Sequence, residues 1–83
     1  MKAEIVDRIM NRLRNGEEII IRDDPRISMV NGGNTRIWLY DDVEPHRFKE
    51  YSSGCNWSDQ ESTVLSEKRV REILLETPIG CIN

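Results

Sequence analysis

Few side chains in this chain could do chemistry. Cys55 and His46 supply the only nucleophile–base combination, a thiol that an imidazole could activate. Cys55 follows Gly54 in a polar stretch, and Asn56 or Asp59 could orient the ring. No segment offers an oxyanion loop, and nothing in the spacing brings the two residues together. The pair is therefore read as unconnected. No catalytic residue is assigned, and the chain is expected not to be an enzyme. A small nuclease-type toxin built on His46, Cys55 or the arginines is the weakest alternative. Two cysteines, Cys55 and Cys81, and one histidine cannot close a four-ligand zinc site, and neither cysteine stands in a C-x-x-C pair. The acidic groups Glu17-Glu18, Asp23-Asp24 and Asp41-Asp42 with Glu44 lack the spacing of a calcium loop. They read as solvated turns and strand ends. In an up-and-down reading, Glu17-Glu18 and Asp41-Asp42 fall at opposite ends of their strands. No metal or cofactor is expected.

Arg36, Trp38 and Tyr40 alternate with Ile37 and Leu39, so in a strand the two sets point to opposite faces. The same alternation sets Ile20 against Ile19 and Ile21, and Val30 against Ile27 and Met29. Apolar or aromatic residues thus line both faces of a small sheet, and a single helical layer can cover only one of them. The uncovered face is the expected binding surface for another protein. It is formed by Trp38, Tyr40, Arg36, Val30 and Ile20, or else by Ile37, Leu39, Ile27 and Met29. Cover by one helix or by residues 41–62 is the competing expectation. Aromatic and arginine side chains on a sheet can also stack nucleobases. A nucleic-acid surface of Arg8, Arg12, Arg14, Arg36 and Trp38 is accordingly the alternative. It is disfavoured because Asp41, Asp42 and Glu44 follow directly and would repel phosphates.

These residues need elements to hold them. Ile5, Ile9 and Leu13, with Val6 and Met10, mark one face of a helix over 3–15, which Gly16 ends and in which Arg12 and Arg14 complement the dipole. Ile19-Ile20-Ile21 within 17–22 reads as a strand, and Asp23-Asp24-Pro25 as a turn. Residues 26–30 and 35–40 read as a hairpin across Asn31-Gly32-Gly33-Asn34. A fourth strand is expected over 47–51, then a loop, then a short extended piece at Thr63-Val64-Leu65. Ser66 reads as the N-cap of a helix carrying Val70, Ile73 and Leu74 and stopped by Pro78. A helix start near Asp59, on the S-x-x-E pattern of Ser58 and Glu61, is the alternative. The order α-β-β-β-(β)-α is similar to that of double-stranded-RNA-binding domains in element order alone. The lysine cluster of their last helix is missing, and Ser66-Glu67-Lys68-Arg69 stands in its place.

Eighty-three residues imply one α+β domain spanning 1–83, with a three- to four-stranded antiparallel sheet between two helices. Apolar residues make up 37%, enough for a modest core. The net charge of −3, from 12 basic and 15 acidic residues, argues against broad electrostatic binding of nucleic acid. Nine arginines against three lysines are read as internal partners for the many acids. No apolar leader core or membrane-length run appears, so a cytoplasmic protein with reduced thiols is expected, with no membrane partner. The expected function is a non-catalytic protein-binding module: an adaptor, inhibitor or regulator, with a homodimer as one form of it. Small acidic chains without motifs are common among phage and mobile-element accessory proteins, including host-defence inhibitors. That setting is a base-rate expectation from size and composition.

Overall fold

The computed structural model describes residues 1–24, 26, 33–53 and 62–82. Their order is α1 (Ala3–Arg14), β1 (Ile19–Ile21), β2 (Asn34–Asp41), β3 (Arg47–Ser53), β4 (Thr63–Ser66), α2 (Glu67–Glu76) and a 3-10 turn at Ile79–Cys81. This is the α+β class and the helix–strands–helix order expected, with four strands, one of which, Thr63–Ser66, was expected only as a short extended piece. The sheet is an antiparallel meander, β1-β2-β3-β4.

One core explains the layering. Val6, Ile9, Met10 and Leu13 recur at helical spacing on α1, and Val70, Ile73 and Leu74 do so on α2. They bury against Ile19 and Ile21 of β1, Ile37 of β2, Phe48 of β3 and Leu65 of β4. Every one of those strand residues lies on the same side of the sheet, as the pairings Ile19↔Ile37, Leu39↔Phe48 and Phe48↔Leu65 require. Both helices therefore occupy the inner face. They run antiparallel, tied by Arg14 to Glu67 at 2.6 Å and by Arg71 to Asp7 at 2.6 Å. Arg14 sits at the C-terminal end of α1 and Glu67 at the N-terminal end of α2, so each charge also complements its own helix dipole.

The helix ends follow the sequence signals. Gly16 takes φ +90°, a left-handed geometry that costs glycine little. The Ser66 side chain accepts from the Arg69 N–H at 3.1 Å and caps α2, which β4 enters directly, and the alternative start near Asp59 falls outside the described residues. Ser58 and Glu61 themselves lie outside the described residues. Replacing a serine cap with alanine costs typically about 1 kcal/mol, so Ser66→Ala should lower the melting temperature by roughly 4–8 °C, with Ser66→Asp close to wild type. Thermal melts of the two variants check this.

Two expectations change. Thr35, Arg36 and Ile37 pair with β1 on one side and β3 on the other, so the strand beside β2 in the hairpin position is Ile19–Ile21. Of the expected strand 26–30, Arg26 lies in a turn and the rest is outside the described residues, as are Asn31 and Gly32. Because β1 is antiparallel to β2, the start of one and the end of the other share an end of the sheet. Glu18 and Asp41 thus lie toward the same end, and Glu18 comes within 3.8 Å of Arg36 on the neighbouring strand. The edge of β1 also has a neighbour: Ile82 bridges to Ile21, and the Arg22 N–H donates to the Cys81 carbonyl at 2.7 Å. Among the described residues no helix is long and apolar enough to cross a membrane.

Candidate protein-binding face

With both helices on the inner face, the alternate residues of each strand form the outer one. Ile20 lies opposite Arg36, Arg36 opposite Tyr51, Trp38 opposite Lys49, and Lys49 opposite Val64. A bulge between Leu39 and Asp41 sets Tyr40 and Asp41 together against Arg47. An extra residue in a strand lets two successive side chains share a face. Tyr40 accordingly stays on the outer face, where the Lys49 Nζ stands 4.1 Å from its ring centroid. That is a cation–π contact worth about 0.5–1 kcal/mol at an exposed site.

The result is an aromatic and aliphatic surface on which Tyr40 is 54%, Tyr51 38% and Val64 48% exposed, with Trp38 half-buried between them. Contiguous exposed apolar surface is what marks interaction sites on soluble proteins, whereas singly exposed side chains are ordinary. Three cations punctuate it. Arg36 lies 3.8 Å from Glu18, and Arg47 3.7 Å from Asp41. These pairs are long and solvated, so each contributes little to stability.

Trp38, Tyr40 and Arg36 therefore share one face as expected, and of the two alternative faces theirs is the one that neither described helix covers; Ile20 joins them half-buried. Val30 lies outside the described residues. Lys49, Tyr51 and Val64 belong to the same face but were not among the residues expected there. Their signal was alternation about Phe48, which points inward and sends Arg47, Lys49 and Tyr51 outward. Only the register of β3 against β2 reveals that they adjoin Arg36 and Trp38.

The alternative set is divided between layers. Arg8, Arg12 and Arg14 belong to α1, on the side of the sheet away from Arg36 and Trp38. Arg12 reaches Glu17 at 3.4 Å and Arg14 reaches Glu67, so two of these three meet carboxylates. His46 meets Glu44 at 3.0 Å, and Cys55 is outside the described residues. Among the described residues no three of His, Cys, Asp and Glu converge on a metal-sized site.

The other polar constellation lies at the far end of the inner face, beyond the helices' apolar cover. Asp23, at φ +52°, takes the left-handed conformation that aspartate tolerates, and the chain turns so that Asp24 enters the interior. Asp24 is 1% exposed, a correction to its reading as a solvated turn residue. Its carboxylate accepts from the Arg26 Nη2 at 2.6 Å, the Arg26 Nε at 3.1 Å, the Arg26 backbone N–H at 3.0 Å and the Thr35 hydroxyl at 2.7 Å. Its own N–H donates to the Gly33 carbonyl at 2.7 Å. The Arg26 guanidinium also reaches Glu50 at 3.3 Å. Burial alone would raise the Asp24 carboxyl, but the hydrogen bonds from Arg26 and Thr35 and the Arg26 charge outweigh it and hold it below its ordinary value. Burial pulls Arg26 down, and the Asp24 hydrogen bond and charge, with Glu50, push it above its ordinary value. With its donors and acceptors matched, this network reads as structural.

The fold and the face together define a class: a small α+β chain with a helix pair on one side of a meander and, on the other, an aromatic face that neither described helix covers. Comparison with protein families, curated proteins and solved structures finds no match to the chain.

Proposed function

We propose that this chain is a non-catalytic protein-binding module, an adaptor, inhibitor or regulator, that works through the outer face of its sheet. The observation that supports this reading is the exposure of Tyr40, Tyr51 and Val64 on the side that no described helix covers. Burying an aromatic ring removes about 150–250 Å² from water, and at about 25 cal/mol per Å² the two tyrosines and Trp38 could carry most of an interface's favourable energy. Tyrosine and tryptophan are also the residues that most often dominate such interfaces. The setting is a reducing cytoplasm, with Cys55 and Cys81 as thiols and no cofactor. An accessory protein of a phage or mobile element, such as a host-defence inhibitor, is a role that this size and acidity suit.

The test is a tagged pull-down with wild type and the Tyr40→Ser/Tyr51→Ser double variant, with thermal melts alongside. The double variant should lose its partner at least tenfold while melting within a few degrees of wild type. Recovery of the same partners by both proteins, or of none by the wild type, would reject this face as the site. Trp38→Ser is the less clean probe, because that ring is already half-buried in the isolated chain.

A further inference from the structure

Resting on that reading, we infer that the outer face takes an acidic segment of another protein, one that presents aliphatic or aromatic anchors flanked by carboxylates. The inference comes from the charge of the face set against that of the chain. The chain carries −3 overall, yet on the outer faces of the described strands the cations Arg36, Arg47 and Lys49 stand against two neighbouring carboxylates, Glu18 and Asp41. The cations also lie where a partner would meet them. Lys49 and Arg36 stand in the same two rows as Trp38, Tyr51 and Val64, so a bound segment cannot cover the rings without approaching the charges.

Those charges can change partners. Arg36 and Arg47 have side chains 55% and 58% exposed, and their carboxylate contacts are 3.8 and 3.7 Å long. Exposed pairs of that kind are worth under about 1 kcal/mol, so a partner carboxylate arriving with desolvating apolar neighbours competes well. Three cations elsewhere are held more tightly: Arg14 and Arg71 meet carboxylates at 2.6 Å across the helix pair, and Arg26 holds buried Asp24, while Arg12 and Arg69 pair loosely on the helices at 3.4 and 3.5 Å.

Three features favour a protein segment over single-stranded nucleic acid. Lys49 already occupies one side of the Tyr40 ring, which a stacked base would need. Glu18, Asp41, Asp42 and Glu44 gather toward one end of the sheet and would oppose a continuous phosphate chain. The helix arginines that could extend a phosphate track are on the other layer. A peptide with a few spaced carboxylates can meet Arg36 and Lys49 in the middle of the sheet without running along that acidic end. A second copy would bring the same three cations with only two carboxylates, Glu18 and Asp41, to meet them.

The experiment is selection of a random 12-residue peptide library on immobilised full-length protein, with a parallel titration of fluorescent oligo-dT and a sizing run. Enriched peptides should carry an excess of Asp and Glu beside aromatic or aliphatic anchors. Their binding should fall at least tenfold with Tyr40→Ser and with Arg36→Glu/Lys49→Glu, and should weaken as salt rises from 50 to 500 mM. Peptides that depend on Tyr40 but lack an acidic excess, or survive the charge reversal, would overturn the acidic partner and leave the binding face standing. Absence of any Tyr40-dependent peptide would overturn both. Oligo-dT bound more tightly than the selected peptides, or a dimer abolished by Tyr40→Ser, would replace the acidic segment with nucleic acid or a second copy.

Discussion

Arg26→Ala is expected to cost about 3–5 kcal/mol of folding stability at neutral pH, the penalty for leaving a buried charge without its partner. Asp24 is 1% exposed, and Arg26 supplies two side-chain groups and a backbone N–H to its carboxylate. The variant keeps the backbone donor and the Thr35 hydroxyl but loses the guanidinium. For a domain stable by roughly 5–15 kcal/mol, that is a large share of the total. Each kcal/mol shifts the midpoint of a domain this small by about 4–8 °C, so the melting temperature should fall by more than 12 °C. The pH dependence identifies the cause. In the wild type the Asp24 carboxyl is held below its ordinary value of 3.8. Its contribution is therefore fully present above that value and is lost as pH falls through the lower, folded value. Without the Arg26 guanidinium the carboxyl loses the largest of its lowering hydrogen bonds and its charge partner, so it takes a proton at higher pH than in the wild type. The stability gap between wild type and Arg26→Ala should narrow steadily between pH 7 and pH 3 in urea titrations. A gap independent of pH would assign the loss to packing of the arginine stem. Asp24→Leu with Arg26→Met should cost less than Arg26→Ala, because no buried charge is then left unpaired.

That network shows where sequence reading stops. Helices, strands and caps are local: Ile5, Ile9 and Leu13 announce α1, and Ser66 announces the start of α2. Alternation in 36–40 showed which side chains share a face, and the structure adds which face the helices choose, because only the assembled pairings put Ile37 beside Ile19. Asp24 read as a turn residue because proline and aspartate neighbours mark turns. Its partners are distant: Thr35 lies eleven residues on, and Glu50, which meets Arg26, a further strand away. Lys49, Tyr51 and Val64 were invisible for the same reason. Strand register is a relation between distant segments, and a bulge at Leu39/Asp41 shifts it by one residue without any glycine to mark the place.

Two aromatic residues of β3 put the assignment of faces to its strongest test. Phe48 is fully buried and packs beneath both helices, and Tyr51, three residues along, is 38% exposed on the opposite face. Phe48→Ala removes the largest buried side chain of the core and leaves a cavity that neighbours fill only in part, so it should cost about 3–5 kcal/mol. Set against roughly 5–15 kcal/mol of total stability, that leaves a protein partly unfolded near 37 °C if the wild type lies toward the lower end. Phe48→Leu should recover most of the loss, because it keeps much of the apolar volume. Tyr51→Ala should cost under about 1 kcal/mol, since most of what it removes is surface that faces solvent or a partner. Urea denaturation of the three variants, followed by circular dichroism at one protein concentration, measures all of these values. The opposite ranking, with Tyr51→Ala unfolding the chain and Phe48→Ala tolerated, would invert the sheet: the helices would lie on the Trp38 side and the binding face would become core. If both substitutions cost several kcal/mol, a further segment covers the outer face in the isolated chain, and a partner could reach Tyr40 and Tyr51 only by displacing it.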